Sequence, residues 1–272
     1  MNGNIQEVRI GIYMRNGKDK KNEKLTGVNF ASAVVVILFL VVWQMACSFK
    51  WVPGYMLPSP IQVIKAFISD FSLLMSHAKV TLLEAVLGLV CGVLLGFICA
   101  VFMDAFPLVK KGLYPILVIT QTIPPVAIAP LLILWFSYGI APKVILVVLV
   151  SFFPMAVGLL EGFQSVDEDM VKLMRSMKAT RLQIFWYVKF PGALSEFFSG
   201  LRIAVAYSVV GAVIAEWLGG FSGLGVYMTR VKKSMAYDKM FAVIFFVSAI
   251  SLILMVLVGA IQKKMMPWTR VK

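Results

Sequence analysis

The chain has 272 residues, 60% hydrophobic and only 14% charged, and its 26 Lys and Arg against 13 Asp and Glu leave it at +13. A soluble domain of this length carries roughly 25% charged and about 45–50% apolar residues, so the balance excludes a water-soluble core and points to a polytopic helical membrane protein. Three cysteines (Cys47, Cys91, Cys99) without a CxxC pair, a single histidine (His77) and no GxxxxGK[ST] leave no basis for a disulfide framework, a His-based metal site or a phosphate-cradling loop. No cofactor, metal or nucleic acid is implied.

In chain order, residues 1–27 form a basic cytoplasmic tail. The apolar run Val28–Ser48 is too long for the core of a cleaved signal and reads as a first span. Leu57-Pro58-Ser59-Pro60 is a rigid turn. After it, Ile61, Ile64, Ala66, Phe67, Ile68 and Phe71 follow near-helical spacing with Lys65 and Asp70 interposed, which predicts an amphipathic helix at the membrane surface. His77 reads as an interfacial polar residue.

The second span, Thr81–Met103, carries Gly88, Gly92 and Gly96 on one face, where small residues let another helix approach closely. The third, Leu113–Phe136, has Pro115, Pro124, Pro125 and Pro130 around Thr120, Gln121 and Thr122, which predicts a kinked helix lining a water-accessible route. Lys143–Phe163, Glu196–Leu218 and Met240–Ile261 complete about six spans. The expected fold is all-α: one membrane domain over 28–262, with basic cytoplasmic tails at 1–27 and 263–272. With the N-terminus inside, 17 Lys and Arg fall on cytoplasmic segments and 8 on outer ones. Arg230, Lys232, Lys233 and Lys239 run against that trend.

Charges at membrane depth default to functional hypotheses. For Glu84, Arg202 and Glu216, a structural ion pair or snorkelling to the interface competes with a role toward a solute. Gln121, Thr122, Ser151, Tyr207 and Ser208 are polar side chains within spans and candidates for a translocation pathway.

The longest internal loop, 164–192, holds two helix-start signatures. Ser165 with Glu168 and Thr180 with Gln183 both fit the capping box. Asp167, Glu168 and Asp169 suit the positive end of a first helix, and Arg175 and Lys178 its negative end. Pro191 is expected to limit the second helix. Two short helices joined near Lys178–Ala179 would present Leu173, Met174 and Met177 as an apolar knob rimmed by Lys172, Arg175 and Arg181, which a partner's groove can grip.

Well over half the chain, from about Leu57 to Tyr227, resembles the membrane permease subunit of bacterial binding-protein-dependent ABC importers, in the group handling nitrate, taurine, alkanesulfonates and thiamine-precursor pyrimidines. The resemblance lies in Leu57-Pro-Ser-Pro, Gln121-Thr-Ile-Pro-Pro, the loop ending in Phe190-Pro191, Gly200-Leu-Arg-Ile-Ala and Ala215-Glu-Trp-Leu-Gly-Gly. The family's loop pattern is Glu-Ala-Ala, three residues, Gly, nine residues, then Ile-x-Leu-Pro. Alignment on Pro191 puts Lys172, Leu173 and Met174 at Glu-Ala-Ala and Lys178 at the Gly. A lysine there costs about 1 kcal/mol in a left-handed turn or imposes a different turn.

The resemblance implies an inner-membrane permease that works as a pair of copies or of related chains. A separate cytoplasmic ATPase would be coupled through Lys172, Leu173, Met174, Arg175, Met177, Lys178, Ala179, Arg181 and Pro191, and an extracytoplasmic solute-binding protein would deliver the solute. A thiamine-precursor pyrimidine or riboflavin is the expected cargo, with nitrate, taurine or an alkanesulfonate as the alternative. The other classes are the coupling subunit of a vitamin importer without a soluble binding protein, and an ion-coupled secondary transporter. The second would need a mid-membrane carboxylate pair, which the sequence does not suggest.

Overall fold

A computed structural model describes residues 34–49, 51–54 and 56–267. The tail 1–27 and residues 268–272 of the C-terminal tail lie outside these. Regular structure among the described residues is entirely helical. The chain divides into two compact units, Met1–Lys65 and Ala66–Lys272, the boundary falling within one helix.

In the first unit, α1 (Val34–Ser48) is the described part of the expected first span. The Trp43 indole N–H donates to the Pro58 carbonyl at 3.1 Å, fixing the Leu57–Pro60 turn to α1. That turn opens α2 (Pro60–Ser69). Ser59 caps it: its N–H donates to Gln62 Oε1 at 2.8 Å, and its hydroxyl accepts from Gln62 N–H at 3.3 Å. Pro60 sits where a missing N–H costs nothing.

The second unit is built on α3 (Phe71–Ala105), α6 (Ala141–Gln164) and α9 (Phe190–Gly219), with α11 (Tyr237–Met265) against α9. Between them lie α4 (Pro107–Thr120), α5 (Pro125–Phe136), α7 (Glu168–Ser176), α8 (Arg181–Ile184), a π-helical turn over Phe185–Lys189, and α10 (Leu224–Lys233). Four described helical stretches are long and apolar enough to cross a membrane, or five if the bent pair α4–α5 counts as one span. The sequence predicts about six.

The expected third span is not one kinked helix. α4 and α5 meet at a 99° bend across residues 121–124. Pro124 is extended (φ −62°, ψ 131°), as the residue before a proline prefers, and Pro125 starts a new helix. Thr120 and Thr122 hydroxyls donate to the Leu117 and Ile119 carbonyls at 2.7 and 2.8 Å, satisfying acceptors at the broken end.

Helix α6 meets both α3 and α9 at close range. A Cβ added to Gly92 would stand 3.0 Å from Ser151 Cβ, and one on Gly96 2.7 Å from Met155 Cβ, while Gly88 abuts Val147. The α3 and α6 partners advance together in steps of four, so the two backbones touch along one stripe. On an adjoining face Gly162 of α6 meets Ala193 of α9, and Gly200 packs on the Pro154 carbonyl. In lipid, where burial of apolar surface gives no net drive between helices, such close approach is what holds them.

Candidate functional site

At one end of the bundle the loop 164–192 forms a compact elbow. Ser165 closes α6 rather than opening α7: its N–H bonds to the Glu161 carbonyl and its hydroxyl donates to the Gly162 carbonyl at 3.0 Å. Because α6 continues to Gln164, the expected capping box at Ser165 is displaced, and Asp167 caps α7 by accepting from Asp169 N–H at 2.8 Å. Helix α7 ends in a paired motif in which Lys178 N–H reaches the Arg175 carbonyl (2.9 Å) and Ala179 N–H the Met174 carbonyl (3.0 Å). Lys178 has φ +60°, so the lysine adopts the left-handed turn that a glycine takes without strain.

The expected capping box at Thr180 forms: Thr180 N–H donates to Gln183 Oε1 at 2.8 Å and its hydroxyl accepts from Gln183 N–H at 3.3 Å. Pro191 does not end the helix that follows. The chain passes from α8 through the π-helical turn into α9, a continuous helix of 39 residues. Phe190 N–H bonds to the Phe185 carbonyl five residues back, and this wider turn sets Pro191 in the first turn of α9, where its missing N–H is tolerated.

Leu173 and Met177 are 60% and 71% exposed, one turn apart on α7, and Leu182 joins them; Met174 is half-buried. Arg175, Lys178 and Arg181 rim this surface, whereas Lys172 is engaged by Asp169 at 3.0 Å. Behind α7 lies a cavity of about 480 Å³ lined by Asp104, Gln164, Glu168, Lys172, Arg175 and Lys189. Its rear wall is pinned by the Lys189–Asp104 ion pair at 2.7 Å and by Lys110 donating to Gln164 at 3.0 Å.

At the other end of α9, the fold assembles a buried polar cluster. Gly223 (φ +121°) must be glycine, since any Cβ would strike the Glu216 carboxylate. The opening N–H groups of α10 are captured by side chains from other helices. Gly223 N–H donates to His77 Nδ1 (2.9 Å), Leu224 N–H to Thr81 Oγ1 (2.8 Å) and Gly225 N–H to Glu216 Oε2 (2.6 Å). Thr81 in turn donates to Glu216 Oε1 at 2.7 Å. Thus one buried carboxylate and two neutral side chains satisfy a helix start that lacks a capping side chain of its own.

Beside it Lys143 and Glu84 form an ion pair at 2.6 Å, both almost fully buried. A second clamp closes over the cluster. Asp70 accepts from the Tyr227 hydroxyl at 2.7 Å and from Lys239 at 2.8 Å, joining the start of α3 to α10 and α11. Burial pushes the Asp70 carboxyl up, but hydrogen bonds from Lys239, Tyr227 and Ser69 outweigh it and hold the group below its usual range. Burial and the Asp70 carboxylate push the Tyr227 phenol up, keeping it a donor.

The sequence places Lys143 as a span flank and does not see α10 at all. One signal was available: His77, Thr81 and Glu84 stand at i, i+4 and i+7, continuous with the face of Gly88, Gly92 and Gly96. Of the polar pathway candidates, Gln121 and Thr122 are exposed at the α4–α5 break and Tyr207 is 51% exposed on α9. Ser151 is fully buried against Gly92, and Ser208 is buried with its hydroxyl donating to the Val205 carbonyl. Arg202 reaches Gln262 across α9 and α11. The clefts and clusters therefore bring together the loop residues on one side and the charged residues on the other, and leave the pathway candidates dispersed.

Residues 92–267 match the sequence family described as the binding-protein-dependent transport system inner membrane component. A probable ABC transporter permease protein of Haemophilus influenzae is 39% identical over 81% of this chain and 90% of its own length. The formylaminopyrimidine transport permease protein ThiX of Halalkalibacterium halodurans is 34% identical over 86% of this chain and 94% of its own. Among solved structures, the MetNI methionine ABC transporter in an inward-facing conformation shares the fold with a TM-score of 0.60 at 18% identity, over 72% of this chain and 96% of that one. The matched segment runs from Gly92 in α3 through the elbow and α10 to the end of α11, and the chain belongs to the inner-membrane permease family of binding-protein-dependent ABC transporters.

Proposed function

We propose that this permease imports a small, uncharged, heteroaromatic solute of the thiamine-precursor pyrimidine class, and that the α7–α8 elbow seats in a groove of a separate subunit that hydrolyses ATP. The observation that carries the docking half is the elbow itself. Its apolar tip, Leu173, Met177 and Leu182, is displayed in water on a turn held by its own bonds, at the head of a helix that reaches the far end of the bundle. A pair of chains would enclose the route, with the elbow and both tails on the cytoplasmic side. Closure of the ATPase biases a two-state helix bundle through that contact.

Two observations support the solute class. Residues 113–142 contain no charged side chain, and the exposed polar groups there, Thr120, Gln121, Thr122, Ser137 and Tyr138, are neutral. An anion such as nitrate or a sulfonate would need compensating charge at that depth. The relative named for formylaminopyrimidine transport aligns along nearly its whole length.

Replacing Leu173 and Met177 by Asp in the full transporter is expected to abolish copurification of the ATPase; retained association overturns the docking reading. In proteoliposomes containing transporter and binding protein, radiolabelled formylaminopyrimidine is expected to accumulate on ATP addition. Accumulation of taurine or nitrate with no pyrimidine uptake would overturn the solute class.

A further inference from the structure

Basic side chains gather on the cytoplasmic side of membrane proteins, yet α10 carries Arg230, Lys232 and Lys233 and the first turn of α11 carries Lys239. Because α9 runs without a break from the elbow, α10 stands at the end remote from the ATPase, a placement that rests on the docking reading above. Lys239 is engaged by Asp70. Among the described residues Arg230 donates to the Phe221 carbonyl, at 2.9 Å. Among the described residues, no carboxylate pairs with Arg230, Lys232 or Lys233, and all three are exposed.

These cations do not sit on a loose loop. The N-terminus of α10 is bonded to His77, Thr81 and Glu216, and its middle is tied through Tyr227 to Asp70. Apolar side chains flank them: Phe221 is 74% exposed and Met235, in a left-handed turn (φ +59°), 71%. A rigid helix that shows unopposed cations beside two apolar side chains is built for a partner of opposite charge.

We infer that α10 and its flanking turns are the docking surface for an acidic lobe of the solute-binding protein. Arg230, Lys232 and Lys233 meet its carboxylates, and Phe221 and Met235 supply the apolar contact at the centre. The buried cluster beneath them joins that surface to α3 and α9. Charge complementarity of this kind sets encounter rate and salt dependence more than it sets raw affinity.

The test uses the assembled transporter in nanodiscs of phosphatidylcholine, titrated with its solute-binding protein at low and high salt. Native binding is expected to weaken as salt rises. The double variant Lys232→Glu/Lys233→Glu is expected to bind about tenfold more weakly at low salt and to lose most of that salt dependence. Its ATPase activity without binding protein should stay native, reporting an intact assembly. Unchanged affinity and salt slope in the variant overturn the inference. So does a loss confined to nanodiscs containing phosphatidylglycerol, which assigns the lysines to lipid headgroups. An ATPase that fails to copurify with the native chain fails the elbow reading instead, a result distinguishable from either.

Discussion

The two ends of α9 are held in opposite ways. At the elbow each backbone and capping bond is local: Asp167 to Asp169, Lys178 to Arg175, Ala179 to Met174 and Thr180 to Gln183 all lie within five residues. At the other end, α10 is held by His77, Thr81 and Asp70, partners more than 140 residues away in sequence. A locally bonded element can shift as a body without breaking anything inside it. A part bonded through distant buried side chains can shift only if those bonds break or their owners move too. The elbow is therefore suited to being pushed, and the α10 end to reporting where α3 and α9 have gone.

This contrast can be broken or sharpened by substitution. The largest effect is expected at Lys143. Lys143→Met strands Glu84 as a buried, unpaired carboxylate and should cost about 3–5 kcal/mol. Thermal unfolding in detergent would show it, and Glu84→Met added to Lys143→Met should restore most of the loss. If the single variant unfolds like the native chain, the buried polar cluster is not a structural anchor.

Next comes Asp70, which joins α3 to α10 and α11. Its folded value is depressed, so its stabilisation is present above the ordinary carboxylate range near about pH 4 and is lost as pH falls through the lower folded value. Asp70→Asn should lower stability by about 1–3 kcal/mol at neutral pH and erase that acid-dependent step. A persistent step in the variant would place it elsewhere.

At the elbow the effects should be smaller and confined. Thr180→Ala removes one half of a capping box and should cost about 1 kcal/mol. Faster hydrogen exchange is expected in α8 alone; if it spreads to α10, the local character of the elbow is wrong. Smallest of all, Lys178→Gly should relieve the left-handed lysine, leaving the turn intact and shifting stability by about 1 kcal/mol or less.

The same division explains what could be read from the sequence. Thr180 and Gln183 declare their bond by spacing alone, and Gly88, Gly92 and Gly96 declare a shared face. Ser165 misled because a hydroxyl three residues before a glutamate fits a capping box equally well whether it opens one helix or closes another. Only the path of α6 through Gln164 decides. The π-helical turn before Pro191 rests on bonds to carbonyls five residues back, such as Phe190 to Phe185, which have no composition signature. Helix α10 escaped because its start borrows its caps from α3 and α9, so no local residue marks it. Lys143 passed for a flanking cation because its partner, Glu84, is 59 residues away.

The 39-residue helix that begins at the elbow has a mechanical consequence. At about 1.5 Å per residue it is a beam roughly 58 Å long. Near its middle it meets α6 backbone to backbone, where a Cβ on Gly200 would stand 2.8 Å from the Pro154 carbonyl oxygen. With the fulcrum there, its two arms are nearly equal. A tilt that swings the elbow a few ångströms one way carries the Gly219 end a similar distance the other way, with reversed sense and no gain. On the proposed docking at the elbow, the permease would act as a see-saw rather than an amplifier, and the size of the gate it could open would be set by the stroke delivered there.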